Sequence, residues 1–163
     1  MVRIISEVAN SLEIAELRAE IFSKRNRGEV LYDIKQLIPD HNQEIAENQT
    51  VCIDLFITQL GCSPLGSRWK PINQTAAKKI LTLIMTKDLA YGGEIMSLPV
   101  ATALIVKLFN FFPGDRQFFT NASFENDYTS ISTWDSITKA TFDTGIIIVG
   151  NNRIGILWAK DED

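Results

Sequence analysis

The sequence predicts an α+β fold: about five helices packed on a small antiparallel sheet that ends in a C-terminal β-hairpin. Three observations carry this reading. Apolar residues recur at helical spacing through most of residues 11–112. Two β-branched runs close the chain around Gly150-Asn151-Asn152. Breakers stand between the segments, at Gly28, Pro39, Gly92-Gly93 and Pro113-Gly114. With 163 residues, 45% of them hydrophobic and 22% charged, the chain can bury a core of its own. We read one α+β domain over residues 1–163, with a helical half at 1–60, a loop at 61–71, and helices plus the C-terminal sheet at 72–163.

The first helix begins at Asn10 or Ser11 and runs to about Lys24, with Ile14, Leu17 and Ile21 as its apolar stripe. Lys24-Arg25-Asn26-Arg27-Gly28 follows. Basic side chains there complement the last carbonyls of the helix, and Gly28 supplies a left-handed stop; the rival reading is a patch for nucleic acid or another anion. Val30, Leu31, Ile34, Leu37 and Ile38 predict a second, short helix ended by Pro39. Residues 41–60 suit a helix capped by Asp40, although Val51, Ile53, Leu55 and Ile57 also alternate as a strand would; the helix is preferred.

Gly61 to Pro71 reads as loop. A helix is expected from Asn73–Thr75 to about Tyr91. Another, capped by Ser97, spans Leu98 to Phe112 and is apolar nearly all round, as a central core helix would be. Gln117 to Thr120 is a short strand. Asn121 to Thr138 reads as a polar loop with little regular structure.

Turn length fixes the register of the closing hairpin. With Asn151-Asn152 as the turn, Val149 faces Ile154, Ile147 faces Ile156, Gly145 faces Trp158 and Asp143 faces Lys160. Ile148 with Gly155, Ile146 with Leu157 and Thr144 with Ala159 lie on the other side. Both faces are apolar, so both must be covered, by helices or by a second copy of the chain. A homodimer is therefore an expectation to test.

Net charge is −4 and falls unevenly: residues 1–80 hold ten basic and ten acidic side chains, residues 81–163 six and ten. That balance argues against a nucleic-acid binder, whose affinity rests on concentrated Lys and Arg. It suits a protein that meets a basic partner. No signal-peptide or membrane-spanning run is visible, so a cytoplasmic location without membrane attachment is the expectation. Cys52 and Cys62 are then expected to be free thiols.

Phe142-Asp143-Thr144-Gly145 resembles the active-site triplet of pepsin-like and retroviral aspartic proteases, which hold two aspartates close enough to share a proton. Ile146 stands where those enzymes carry Ser or Ala, and eighteen residues after Gly145 leave no room for their flap. Asp143 opposite Lys160 also suits the Mg²⁺ site of restriction-type nucleases, but Trp158 occupies the position of their second acid. His41, the sole histidine, lacks a nucleophile or metal-ligand context, and one His with two separated Cys cannot complete a zinc site. No metal or cofactor is expected.

The polar segment 121–143 remains. Asp127, Tyr128, Trp134, Asp135 and Asp143, with nearby Arg116, are the candidate binding residues; aromatics anchor and charges steer. The expected function is a non-enzymatic interaction or regulatory protein of inhibitor or immunity type, engaging a protein partner through its acidic second half. The alternative is a small-molecule binder or hydrolase with a polar site at Asp143, Arg116 and Asp135. Asp143 itself is expected to pair with Lys160.

Overall fold

The computed structural model describes residues 3–6, 9–38 and 49–162. In chain order the elements are β1 (Arg3–Ser6), α1 (Ser11–Lys24), β2 (Glu29–Ile38), α2 (Gln49–Gln59), β3 (Lys70–Ile72), α3 (Gln74–Thr86), α4 (Leu98–Asn110), β4 (Arg116–Thr120), β5 (Ala122–Glu125), β6 (Ser130–Trp134), β7 (Phe142–Gly150) and β8 (Arg153–Asp161). The α+β class holds, with four α-helices among the described residues in place of about five. The sheet is larger than expected: six antiparallel strands in the order β1-β2-β8-β7-β4-β3, with β5 and β6 forming a separate two-stranded ribbon.

The closing hairpin adopts the register that its turn dictates. Val149 faces Ile154, Ile147 faces Ile156, Gly145 faces Trp158 and Asp143 faces Lys160. Asn151 and Asn152 both have positive φ, 50° and 55°, the requirement of a two-residue turn whose twist matches the strands. At Gly145 the neighbouring backbone comes so close that a Cβ would lie 2.2 Å from the Leu157 carbonyl oxygen and 2.7 Å from the Trp158 Cα. Only glycine fits between these strands.

The expected second helix is instead strand β2, which pairs along its length with β8, from Glu29↔Lys160 to Gln36↔Arg153. Tyr32 and Ile34 face one side of the sheet, Leu31 and Leu37 the other. Apolar residues on both faces erase the period-two signal, and the leftover spacing mimics a helix. The N-terminal half is therefore not all helical. Residues 121–134, expected as loop, form the ribbon β5–β6, and Lys70–Ile72 of the expected 61–71 loop forms edge strand β3. Asp40, His41 and the start of the expected 41–60 helix lie outside the described residues; 49–59 is helical as preferred.

Helix α3 is capped by Asn73, whose side chain accepts from the Ala76 N–H at 2.8 Å. It ends at Thr86, earlier than expected, and residues 87–96 turn back on themselves through a Lys87–Glu94 bridge. Helix α4 is not buried all round. Ala101, Leu104, Ile105, Leu108 and Phe109 face the core, while Leu98 and Val106 are exposed.

Two apolar layers sandwich the sheet. Helices α1, α3 and α4 cover Ile34, Phe118, Ile146, Ile148 and Leu157. Helix α2, with Leu65, Trp69 and Ile137, covers Leu37, Phe119, Ile147, Ile156 and Trp158 on the opposite side. The chain thus buries both faces of its closing hairpin unaided, and the sequence-based reason for a homodimer falls away.

Candidate functional site

Asp143 enters β7 fully buried, and every part of its carboxylate is occupied. Oδ1 accepts from the Trp158 indole Nε1 (3.0 Å) and the Ile137 N–H (3.0 Å). Oδ2 accepts from the Thr138 N–H (3.3 Å) and hydroxyl (3.0 Å). The expected ion pair with Lys160 is absent: Lys160 meets Glu29 on β2 at 3.1 Å, although the backbones of Asp143 and Lys160 face each other. The reason is the pull of four fixed donors, which desolvate Asp143 at little cost. Trp69, edge-on to Trp158 at 6.1 Å, repeats the device with Asp54, whose Oδ1 accepts its indole N–H at 2.8 Å. The Asp143 carboxylate, with four protein donors on its two oxygens, anchors the 137–138 segment to the strand.

Asn121 ties the neighbouring segments together. Its amide donates to the carbonyls of Asp135 and Asp143, and its oxygen accepts from the Thr144 hydroxyl at 2.8 Å. Just outside this knot the Trp134 ring stacks at a tilt on Phe142, with centroids 5.1 Å apart, and Asp135 reaches Arg68 at 3.3 Å. Trp134, Asp135 and Asp143 are therefore neighbours.

The opposite end of the ribbon holds Asp127 and Tyr128. Asn126, Asp127 and Tyr128 have φ of 52°, 53° and 65°, three successive side-chain-bearing residues in left-handed conformation. Asn and Asp tolerate this; for a ring-bearing residue it costs on the order of 1 kcal/mol. Lys79 of α3 clamps the turn, pairing with Asp127 at 2.6 Å and lying over the Tyr128 ring at 5.9 Å, while Phe124 stacks on that ring at 5.4 Å. Between ribbon tip and α3 lies a cleft of about 280 Å³ that also includes Thr82, Thr86 and Lys87.

Arg116 belongs elsewhere. Its guanidinium donates to the Phe109 and Phe112 carbonyls at the end of α4 and to Gln74. It faces Gly150, and Asp143 lies at the other end of β7. Seven residues of strand are roughly 23 Å. The polar site of Asp143, Arg116 and Asp135 expected under the small-molecule reading is not assembled. Lys79 and Phe124, which the sequence did not single out, organise the ribbon tip, and Arg68 holds Asp135 near its base; Lys79 and Arg68 act across long sequence separations, whereas Phe124 stacks on Tyr128 four residues away.

Among the described residues no group of three or more His, Cys, Asp or Glu side chains is placed to hold a metal, and no helix is long and apolar enough to cross a membrane. Both cysteines are free thiols. Comparison of the chain with protein-family models, curated proteins and solved structures returns no match.

Proposed function

We propose that the chain is a non-enzymatic intracellular interaction protein that engages a basic protein partner through the β5–β6 ribbon. One observation carries this reading: the ribbon stands outside the main sheet and ends in an acidic, left-handed turn, Asn126–Tyr128, held in shape from α3 by Lys79. Strained backbone kept in place by neighbouring groups is a common property of recognition surfaces. Exposed Glu125, beside the Asp127–Lys79 pair, supplies charge that steers a basic partner, and half-buried Tyr128 and Trp134 supply aromatic anchors at the two ends. An inhibitor or immunity-type protein is the concrete form of this proposal. The rival reading, a small-molecule binder or hydrolase with a polar site near Asp143, is less favoured because that carboxylate already accepts four hydrogen bonds from the protein.

The experiment is an affinity capture from the source cell with two baits, the native protein and a Tyr128→Ala/Asp127→Asn variant, each checked for native circular dichroism. A protein retained by the first bait and lost from the second supports the proposal. Equal capture by both baits, or none by either, sinks it.

A further inference from the structure

A cleft of about 510 Å³ opens between α1, the end of α4 and the β7–β8 turn, remote in sequence from the ribbon. Its apolar lining is buried Leu17, half-buried Phe111 and exposed Pro113. Its rim carries Glu13, Glu16 and Glu20 of α1 facing Lys107 and Arg153. The two cations are already engaged. Lys107 donates to both oxygens of Glu20, at 2.8 and 3.2 Å, and Arg153 donates to the carbonyls of Phe111 and Ala9 and to the Asn10 side chain. Glu13 and Glu16 have no ion pair or side-chain hydrogen bond among the described residues. With three acids against two cations, the rim is negative on balance.

A second feature adjoins it. Leu12, Ala15, Ala19 and Phe22 are exposed and recur at spacings of three and four, so they form one stripe along the outer face of α1. Leu12 and Phe22 are 67% and 48% exposed, and they lie ten residues, roughly 15 Å, apart along the helix. The stripe runs beside the acidic rim.

We propose that this face of α1 and α4 docks a basic, amphipathic peptide segment of a protein partner. Its Lys or Arg heads pair with Glu13 and Glu16, their methylene stems lie over Phe111 and Pro113, and its apolar residues cover the Leu12–Phe22 stripe. A second copy of this chain fits worse, because two-fold packing of α1 on itself brings Glu13, Glu16 and Glu20 against their own equivalents. A small polyamine would satisfy the acids but leave the stripe bare. The surface goes beyond the ribbon reading and stands without it.

The test is fluorescence anisotropy with a labelled, end-blocked peptide of sequence Leu-Arg-Lys-Leu-Arg-Lys-Leu, its Glu-for-Lys/Arg counterpart and spermidine, backed by amide chemical-shift mapping. The basic peptide is expected to bind, to weaken with added salt, and to shift amides of α1 and α4. Glu13→Gln with Glu16→Gln should weaken it about tenfold, the sum of two exposed ion pairs. Phe22→Ser should weaken it as well, through the apolar stripe. The proposal is overturned by unchanged affinity in the Glu variant, by equal binding of the acidic peptide, or by no binding up to about 1 mM peptide. Spermidine binding as tightly as the peptide, or a dimer broken by Ala19→Glu, would assign the face to those occupants instead. Failure of the ribbon variant in affinity capture leaves this result untouched, since neither substitution there lies in the cleft.

Discussion

Arg25 and Asp161 form a two-point ion pair, Nη1 to Oδ1 at 3.0 Å and Nη2 to Oδ2 at 2.8 Å, although 136 residues separate them. Their side chains are 0% and 2% exposed. The pair is the hub of one end of the molecule: Arg25 Nε also donates to the Ile84 carbonyl near the end of α3, and Asp161 Oδ2 accepts from the Leu89 N–H. Gly28 has to be glycine beside it, with φ of +63° and a Cβ position only 2.0 Å from Asp161 Oδ1. The basic cluster after α1 thus contains a buried structural cation as well as surface charge.

Removing one partner of such a pair strands the other in the interior. Asp161→Ala should cost about 3 kcal/mol or more, read as a lower urea midpoint at unchanged slope. Replacing both residues by apolar ones of similar volume, Arg25→Met with Asp161→Leu, should recover a large part of that loss. Equal midpoints for native and Asp161→Ala protein would show that the pair contributes nothing.

Asp143 is the second buried carboxylate with a defined task. An Asn in its place keeps one acceptor oxygen but turns an amide N–H toward the Thr138 N–H, so one partly buried donor loses its partner. Asp143→Asn is expected to destabilise by about 2 kcal/mol and to speed hydrogen exchange at Ile137 and Thr138 while leaving the ribbon tip unchanged. Unaltered exchange at those two amides would mean that the carboxylate does not hold the 135–141 segment.

Tyr32 gives a pH dependence with a definite sign. Burial, the largest cause, pushes its phenol above the ordinary value of 10.0; nearby Arg18 pulls it down and Asp33 pushes it up. The hydroxyl donates to the Ile14 carbonyl at 3.0 Å, so the folded state keeps this proton where the unfolded chain loses it. Stability is therefore flat with respect to this group below pH 10 and falls as pH rises above it. Tyr32→Phe should lower stability by about 1 kcal/mol at neutral pH and remove this part of the alkaline fall. Identical alkaline slopes in the two proteins would refute the assignment.

The cysteines should differ in reactivity. Burial pushes both thiols above the usual range; at Cys62 Lys160 pulls back and Asp143 adds to the rise. Cys52 is buried on the inner face of α2, whereas Cys62 is half-buried. A thiol reagent at mildly alkaline pH is expected to label Cys62 slowly, faster as pH rises, and Cys52 only on unfolding. Both thiols reacting at once in the folded protein would contradict that order.

Local rules made some of this architecture legible. A two-residue Asn-Asn turn leaves one register open to the closing hairpin, and Asn73 and Ser97 announce the starts of α3 and α4 through cap chemistry. Strand β2 was hidden because both its faces are covered, so its apolar positions carry no alternation, and Asp33, Lys35 and Gln36 lend it a helical composition. The ribbon was hidden because Ser130, Ser132 and Thr133 look like loop residues until Phe124, Ile131 and Trp134 find cover. Of the candidate site, Asp127 with Tyr128 and Trp134 with Asp135 were placed side by side by adjacency alone. Their partners Lys79 and Arg68, 48 and 67 residues away, leave no local trace.

Strand β8, which sits between β2 and β7, emerges from the ribosome after every other strand of the sheet. Glu29 waits 131 residues for Lys160, and until then β2 presents an unfilled hydrogen-bonding edge to the cell. Assembly is thus dominated by distant partners, which makes for slow folding and for a nascent chain exposed to mispairing. The central position of β8 makes the edge of β2 the surface that stays open longest during synthesis.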